Sequence, residues 1–62
     1  MTIQEMLADL AAWGFSQGAI ARNVGTTQPT IHRATKGASI GYETGKLIEA
    51  MHKEAEASRS AA

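Results

Sequence analysis

The chain has 62 residues, 44% of them hydrophobic and 19% charged, and its net charge is zero. That length suits one small domain and leaves no room for a second core or a buried catalytic cleft, and the composition is globular, not disordered. With no cysteine there is no disulfide, no thiolate zinc site and no cysteine nucleophile, which fits a reducing cytoplasm.

The first helix is marked by Thr2 and Glu5, the spacing of a capping box in which each side chain answers an orphan backbone N–H of the other's position. Ile3, Met6, Leu7, Leu10 and Ala11 follow at three- and four-residue intervals, Trp13 closes the stripe, and Gly14 supplies the left-handed stop. Ser16 is a good N-cap for a second helix that runs through Ile20, Ala21 and Val24 to Gly25. Thr27 caps a third, with Gln28 and Pro29 in its first turn, where proline's missing N–H costs nothing. Ile31 and Ala34 face inward, and Gly37 ends the element.

Residues 37–42 read as a loop of small residues. From Glu43, the spacing of Leu47, Ile48, Met51 and Ala55 predicts a fourth helix, with Glu49 and Lys53 at the favourable four-residue spacing. Ser58 onward has no apolar partner and is expected to fray. Nothing alternates with period two, so no strand is predicted. The expected architecture is all-α, a compact four-helix domain over residues 1–57 with a tail at 58–62. No apolar run approaches the ~18 residues of a membrane helix, and no signal-peptide core is present at the N-terminus, so a soluble, cytoplasmic protein is expected.

Charge is unevenly distributed. Residues 14–42 carry Arg22, Arg33 and Lys36 and no acid, whereas the flanking segments are net acidic. A local basic face on a neutral chain suits anion binding at one surface. Within this island, residues 16–37 read SQGAIARNVGTTQPTIHRATKG, two short helices joined by a tight turn at Gly25, Thr26 and Thr27. Small Ala21 permits close approach, Gly25 permits positive φ, and Ile20, Val24 and Ile31 lock the crossing. This is the pattern of a helix-turn-helix, whose second helix lies in the major groove. On that helix, Gln28, Pro29, His32, Arg33 and Lys36 recur at helical spacing opposite Ile31 and Ala34, forming one polar, positive stripe.

The segment resembles the helix-turn-helix of the lambdoid phage repressor and Cro proteins, with VGTTQ and the Ile three residues later as its most typical stretch. The resemblance covers the first three helices and fades after Gly37. It implies a lambda repressor-like fold and sequence-specific binding to a double-stranded DNA operator, as a small repressor of phage or prophage type that occludes a promoter. It also implies roles. Gln17 bonds a phosphate and braces Gln28. Gln28 and Arg33 read base edges, suited to adenine and guanine respectively. Thr27 touches backbone or a thymine methyl. Apart from the resemblance, Thr30 and His32 are expected to add to the readout, and Arg22 and Lys36 to position the domain on phosphates. The sequence departs from the family at Pro29, where a second polar reader is usual, and at Ala34, where a larger apolar residue is usual. After Gly37 it also lacks the further basic residues with which the family often clamps the phosphate backbone.

A reader this small is expected to bind as a homodimer, and Leu47, Ile48 and Met51 are candidates for the dimer face. Met6, Met51 and Trp13 sit at helical spacing and are expected in the core. His32 and His52 stand twenty positions apart without ligand spacing, so no metal is expected. Paired catalytic carboxylates, a Ser–His–Asp set and a cofactor fingerprint are missing, so neither an enzyme nor a cofactor or small-molecule ligand is expected. The zero net charge, Pro29 and Ala34 leave one alternative open, a protein-binding module of the same fold that inhibits or sequesters a host protein.

Overall fold

The first two helices begin at a side-chain cap, and the first three are followed by a left-handed glycine. The structure, a computed structural model, describes residues 1–60. The helices are α1 (Ile3–Ala12), α2 (Gln17–Val24), α3 (Gln28–Thr35) and α4 (Tyr42–Ser60), and no strand occurs among the described residues. At the start of α1, the Thr2 hydroxyl accepts from the Glu5 N–H at 3.1 Å, and Glu5 Oε1 accepts from the Thr2 N–H at 2.8 Å. The capping box is complete. Ser16 caps α2 by accepting from the Ala19 N–H at 3.0 Å.

The Thr2 backbone N–H, with a further contribution from the Thr2 hydroxyl, holds the Glu5 carboxyl below the ordinary glutamate value. A depressed folded-state pKa means the ionised form stabilises the fold. That contribution is present above the unfolded pKa and is lost as pH falls through the folded one. Glu5→Gln keeps a carbonyl acceptor and removes the charge, so the Tm advantage of the parent over this variant should be present at pH 7 and shrink on acidification toward pH 3. Thermal unfolding of both proteins across that range is the check.

Gly25 and Gly37 end α2 and α3 in the left-handed region, with φ of 72° and 98°. A side chain at either position would be strained there. At Gly25 the Ala21 carbonyl accepts both the glycine N–H and that of Thr26, the latter at 2.9 Å. At Gly37 the Ala34 carbonyl accepts the glycine N–H at 3.1 Å, and the Arg33 carbonyl accepts that of Ala38 at 3.1 Å.

The core is formed by Met6, Leu7 and Leu10 of α1, Ile20, Ala21 and Val24 of α2, Ile31 and Ala34 of α3, and Ile48 of α4. Trp13, Phe15, Ile40, Met51 and Ala55 pack around its edge. α1 packs on α3 and α4, and α2 packs on α3 and α4. The small Ala34 is fully buried against these neighbours. The molecule measures 32 × 19 × 19 Å. Its long dimension is close to the ~28 Å length of a 19-residue helix, so α4 spans the whole body.

The fourth helix departs from expectation in four ways. It begins at Tyr42, one residue early, and residues 58–60 continue it instead of fraying. The Arg59 guanidinium lies over the Trp13 ring, 4.8 Å from its centroid, and this cation–π contact gives the last turn a partner outside the helix. Residues 61–62 lie outside the described residues. Ile48, a candidate for a dimer face, is fully buried in the monomer core, because α1 packs against that side of α4. Glu49 and Lys53 do not close to ion-pair distance; the one close contact of a carboxylate with a basic side chain among the described residues joins Asp9 and His52.

That contact was not foreseen. His52 is buried, its Nε2 lies 2.8 Å from Asp9 Oδ2, and its ring stacks at a tilt on Trp13 with centroids 5.1 Å apart. A carboxylate can only accept, so Nε2 carries the hydrogen. One polar bond and one aromatic contact thus tie the middle of α4 to α1 and the start of the α1–α2 connection. His52 follows Ile48 by four residues, so it stood on the inward stripe, where its polarity concealed it.

Candidate nucleic-acid interface

The exposed surface of α3 carries a cluster of polar and basic side chains. Ile31 and Ala34 hold one side of the helix in the core, and Gln28, Pro29, His32, Arg33 and Lys36 all stand in solvent on the other. No acidic residue lies on α3 or its flanking turns. Arg33 and Lys36 form no ion pair among the described residues, leaving their charges available to an incoming anion.

One hydrogen bond organises the leading end of this surface. Gln28 Nε2 donates to Gln17 Oε1 at 2.6 Å, linking the first residues of α2 and α3 across eleven positions of sequence. The bond uses one of the two Gln28 amide hydrogens and leaves the other, together with Oε1, facing outward. A donor beside an acceptor on one planar group matches the N7 and N6 edge of adenine. Gln17 accepts through its carbonyl and so keeps both of its own amide hydrogens for an anion. The pairing foreseen between these two residues is present in the structure.

Thr27 has the extended backbone of an N-cap, but its side chain makes no cap hydrogen bond. Its hydroxyl lies 2.9 Å from that of Thr30 instead. Thr27 is exposed and Thr30 half-buried, so Thr27 presents its methyl and hydroxyl at the mouth of the surface while Thr30 backs it. The first-turn N–H groups of α3 consequently have no side-chain cap. His32 is exposed, and its carbonyl accepts from the Thr35 hydroxyl at 2.6 Å. Lys36 occupies the C-cap position.

Arg22 is exposed in the last turn of α2. Five residues at ~100° each turn it roughly 140° around that helix from Gln17. Leu47 is 49% exposed and Met51 half-buried; with Phe15 they line an open groove between α4 and the α1–α2 connection. This groove is separate from the α3 surface. No three His, Cys, Asp or Glu side chains are grouped closely enough to hold a metal ion among the described residues. No helix among them is long and apolar enough to cross a membrane.

One residue of consequence at this surface had no signal in the sequence. Gln4 of α1 donates through Nε2 to the carbonyl of Thr35, the last residue of α3, at 3.0 Å. The two residues are 31 positions apart, and no local pattern announces such a bond.

The structure defines the chain as a compact all-α domain of four helices with a polar, positively charged helix face. Comparison with protein-family models, with curated proteins and with solved structures found no match.

Proposed function

We propose that this chain is a sequence-specific DNA-binding regulator of transcription whose α3 enters the major groove as the second helix of a helix-turn-helix. The Gln17–Gln28 hydrogen bond is the observation that carries the reading. It fixes a base-reading amide at the leading end of an exposed helix, in the arrangement that the resemblance to lambdoid repressor and Cro proteins implies. Gln28 and Arg33 read base edges, Thr27, Thr30 and His32 complete the readout, and Gln17, Arg22 and Lys36 hold phosphates. The regulator acts by occupying an operator and blocking a promoter. It has no use for a metal, a cofactor or a catalytic group, and it works in the cytoplasm.

Specific binding calls for two copies reading half-sites about 34 Å apart. With Ile48 committed to the core, the apolar surface left for a partner copy is Leu47 and Met51, with Phe15 beside them. That groove also supports the second reading, in which the same fold captures a host protein and not DNA.

Salt dependence separates the two. A dimer placing Arg22 and Lys36 of each copy on phosphates releases about four counterions, a log–log slope near −3.6. Affinity should then fall about 100-fold between 50 and 200 mM salt. Lys36→Ala should weaken binding on every duplex alike and flatten the slope by about 2 for the dimer, one unit per copy. Fluorescence anisotropy on specific and random duplexes provides the measurement. A salt-independent affinity, or no duplex binding by the folded protein, favours the protein-capturing reading.

A further inference from the structure

We infer that Gln4 is a positioning residue for sequence readout: its amide holds the trailing end of α3 and sets where Arg33 meets the bases. The inference rests on the DNA-binding reading above and extends it to a helix outside the α2–α3 unit.

The last four carbonyls of an α-helix have no helical N–H to accept. In α3 these belong to His32, Arg33, Ala34 and Thr35. Three are answered locally. The His32 carbonyl takes the Thr35 hydroxyl, the Arg33 carbonyl takes the Lys36 and Ala38 N–H groups, and the Ala34 carbonyl takes that of Gly37. The Thr35 carbonyl is answered by Gln4 Nε2, from α1. A second contact supports the same geometry, because Gln4 Oε1 lies 3.7 Å from where a Cβ on Gly37 would stand. The Gln4 amide therefore rests on the turn that ends α3 while bonding its last carbonyl.

Both ends of α3 are thus held by a glutamine from an earlier helix, Gln17 at the start and Gln4 at the finish. Ile31 and Ala34 fix the depth of α3 in the core, but an eight-residue helix on two small inward contacts can still swing or roll about them. A readout side chain works only when its support holds it within about 0.5 Å. Arg33 lies two residues before Thr35, in the half of the helix that Gln4 controls, whereas Gln28 is seven residues away at the other bond. The consequence is local: losing Gln4 should blur what Arg33 reads and spare what Gln28 reads.

The test compares parent, Gln4→Met, Arg33→Ala, Gln28→Ala and the two double variants that include Gln4→Met. Each is confirmed folded by circular dichroism and assayed on the parent's selected duplex and on duplexes substituted one base pair at a time. Methionine keeps the length and apolar stem of glutamine and cannot donate; Gln4→Leu repeats the test should Gln4→Met fold poorly. Gln4→Met should lower discrimination at the Arg33-dependent base pair by about 3–10-fold, the range of one hydrogen bond. It should leave discrimination at the Gln28-dependent pair and affinity for random duplex within about twofold, and add nothing to Arg33→Ala while adding independently to Gln28→Ala. Unchanged discrimination, or equal loss at every base pair, overturns the positioning role while leaving the DNA-binding reading intact. A parent protein that prefers no sequence overturns the DNA-binding reading itself, and the role of Gln4 with it.

Discussion

Ile48→Ala is expected to lower the Tm of this protein by roughly 10–30 °C, whereas Leu47→Ala, one residue away, should leave it nearly unchanged. Ile48 is fully buried and Leu47 is 49% exposed. Truncating a buried isoleucine removes transferred apolar surface and leaves a cavity, together about 2–5 kcal/mol. The total stability of a 62-residue domain is roughly 3–9 kcal/mol, so this one change removes much of it. Ile48 is also the one α4 residue among the fully buried large side chains, and α1 and α2 both pack on α4, so relaxation cannot close the gap without moving two helices. Exposed Leu47 has no such neighbours to lose, and its substitution should stay within about 0.5 kcal/mol. Urea or thermal unfolding of the two variants gives the answer. Equal loss, or a larger loss at Leu47, would mean that α4 is rotated from the orientation described.

Arg33→Ala should reduce discrimination at one base pair of the operator by roughly 10–100-fold, corresponding to about 1–3 kcal/mol for a bidentate contact. The Arg33 side chain is exposed and has no acidic partner among the described residues. Its planar fork of donors fits the O6 and N7 acceptors of guanine. The variant should accordingly lose its preference for G·C at that position, and binding to random duplex should fall by less. Anisotropy on duplexes differing at single base pairs resolves the two effects. A uniform loss on every duplex would assign Arg33 to phosphate contact and leave Gln28 as the main reader.

Much of this architecture was legible because it is encoded locally. Thr2 with Glu5 and Ser16 start the first two helices, and Gly25 and Gly37 stop the second and third, each acting within a few residues of itself. Ile20, Val24, Ile31 and Ala34 were legible as inward-facing for the same reason, since helical spacing leaves each short helix a single apolar side. The Gln17–Gln28 contact was legible only through resemblance.

In α4 the local rule ran out. Leu47, Ile48, Met51, His52 and Ala55 share one broad arc, and which edge of that arc turns inward depends on how α1 and α2 pack. The apolar spacing names Leu47 and Ile48 alike, while the core takes Ile48 and buries polar His52 beside it. The Asp9–His52 bond spans 43 residues and the Gln4–Thr35 bond 31, and neither leaves a pattern along the chain. The cation–π contact between Arg59 and Trp13 is of the same kind, and it joins α1's end to a tail that was expected to fray and is helical through Ser60. At the candidate interface, Thr27 showed the right residue type for a cap, yet its hydroxyl turned to Thr30. Spacing could not reveal that choice, because both partners are three residues or fewer away.

The central claim is that α3 reads DNA sequence through the amide that Gln17 braces. Its most direct test is a selection from random duplexes at low salt, run in parallel with the parent and with Gln28→Ala, both first shown to be folded. The account predicts that the parent enriches a palindrome with half-sites about 34 Å apart, and that Gln28→Ala loses the preference at one position of each half-site. No enrichment by the folded parent, or an identical palindrome from both proteins, would contradict it.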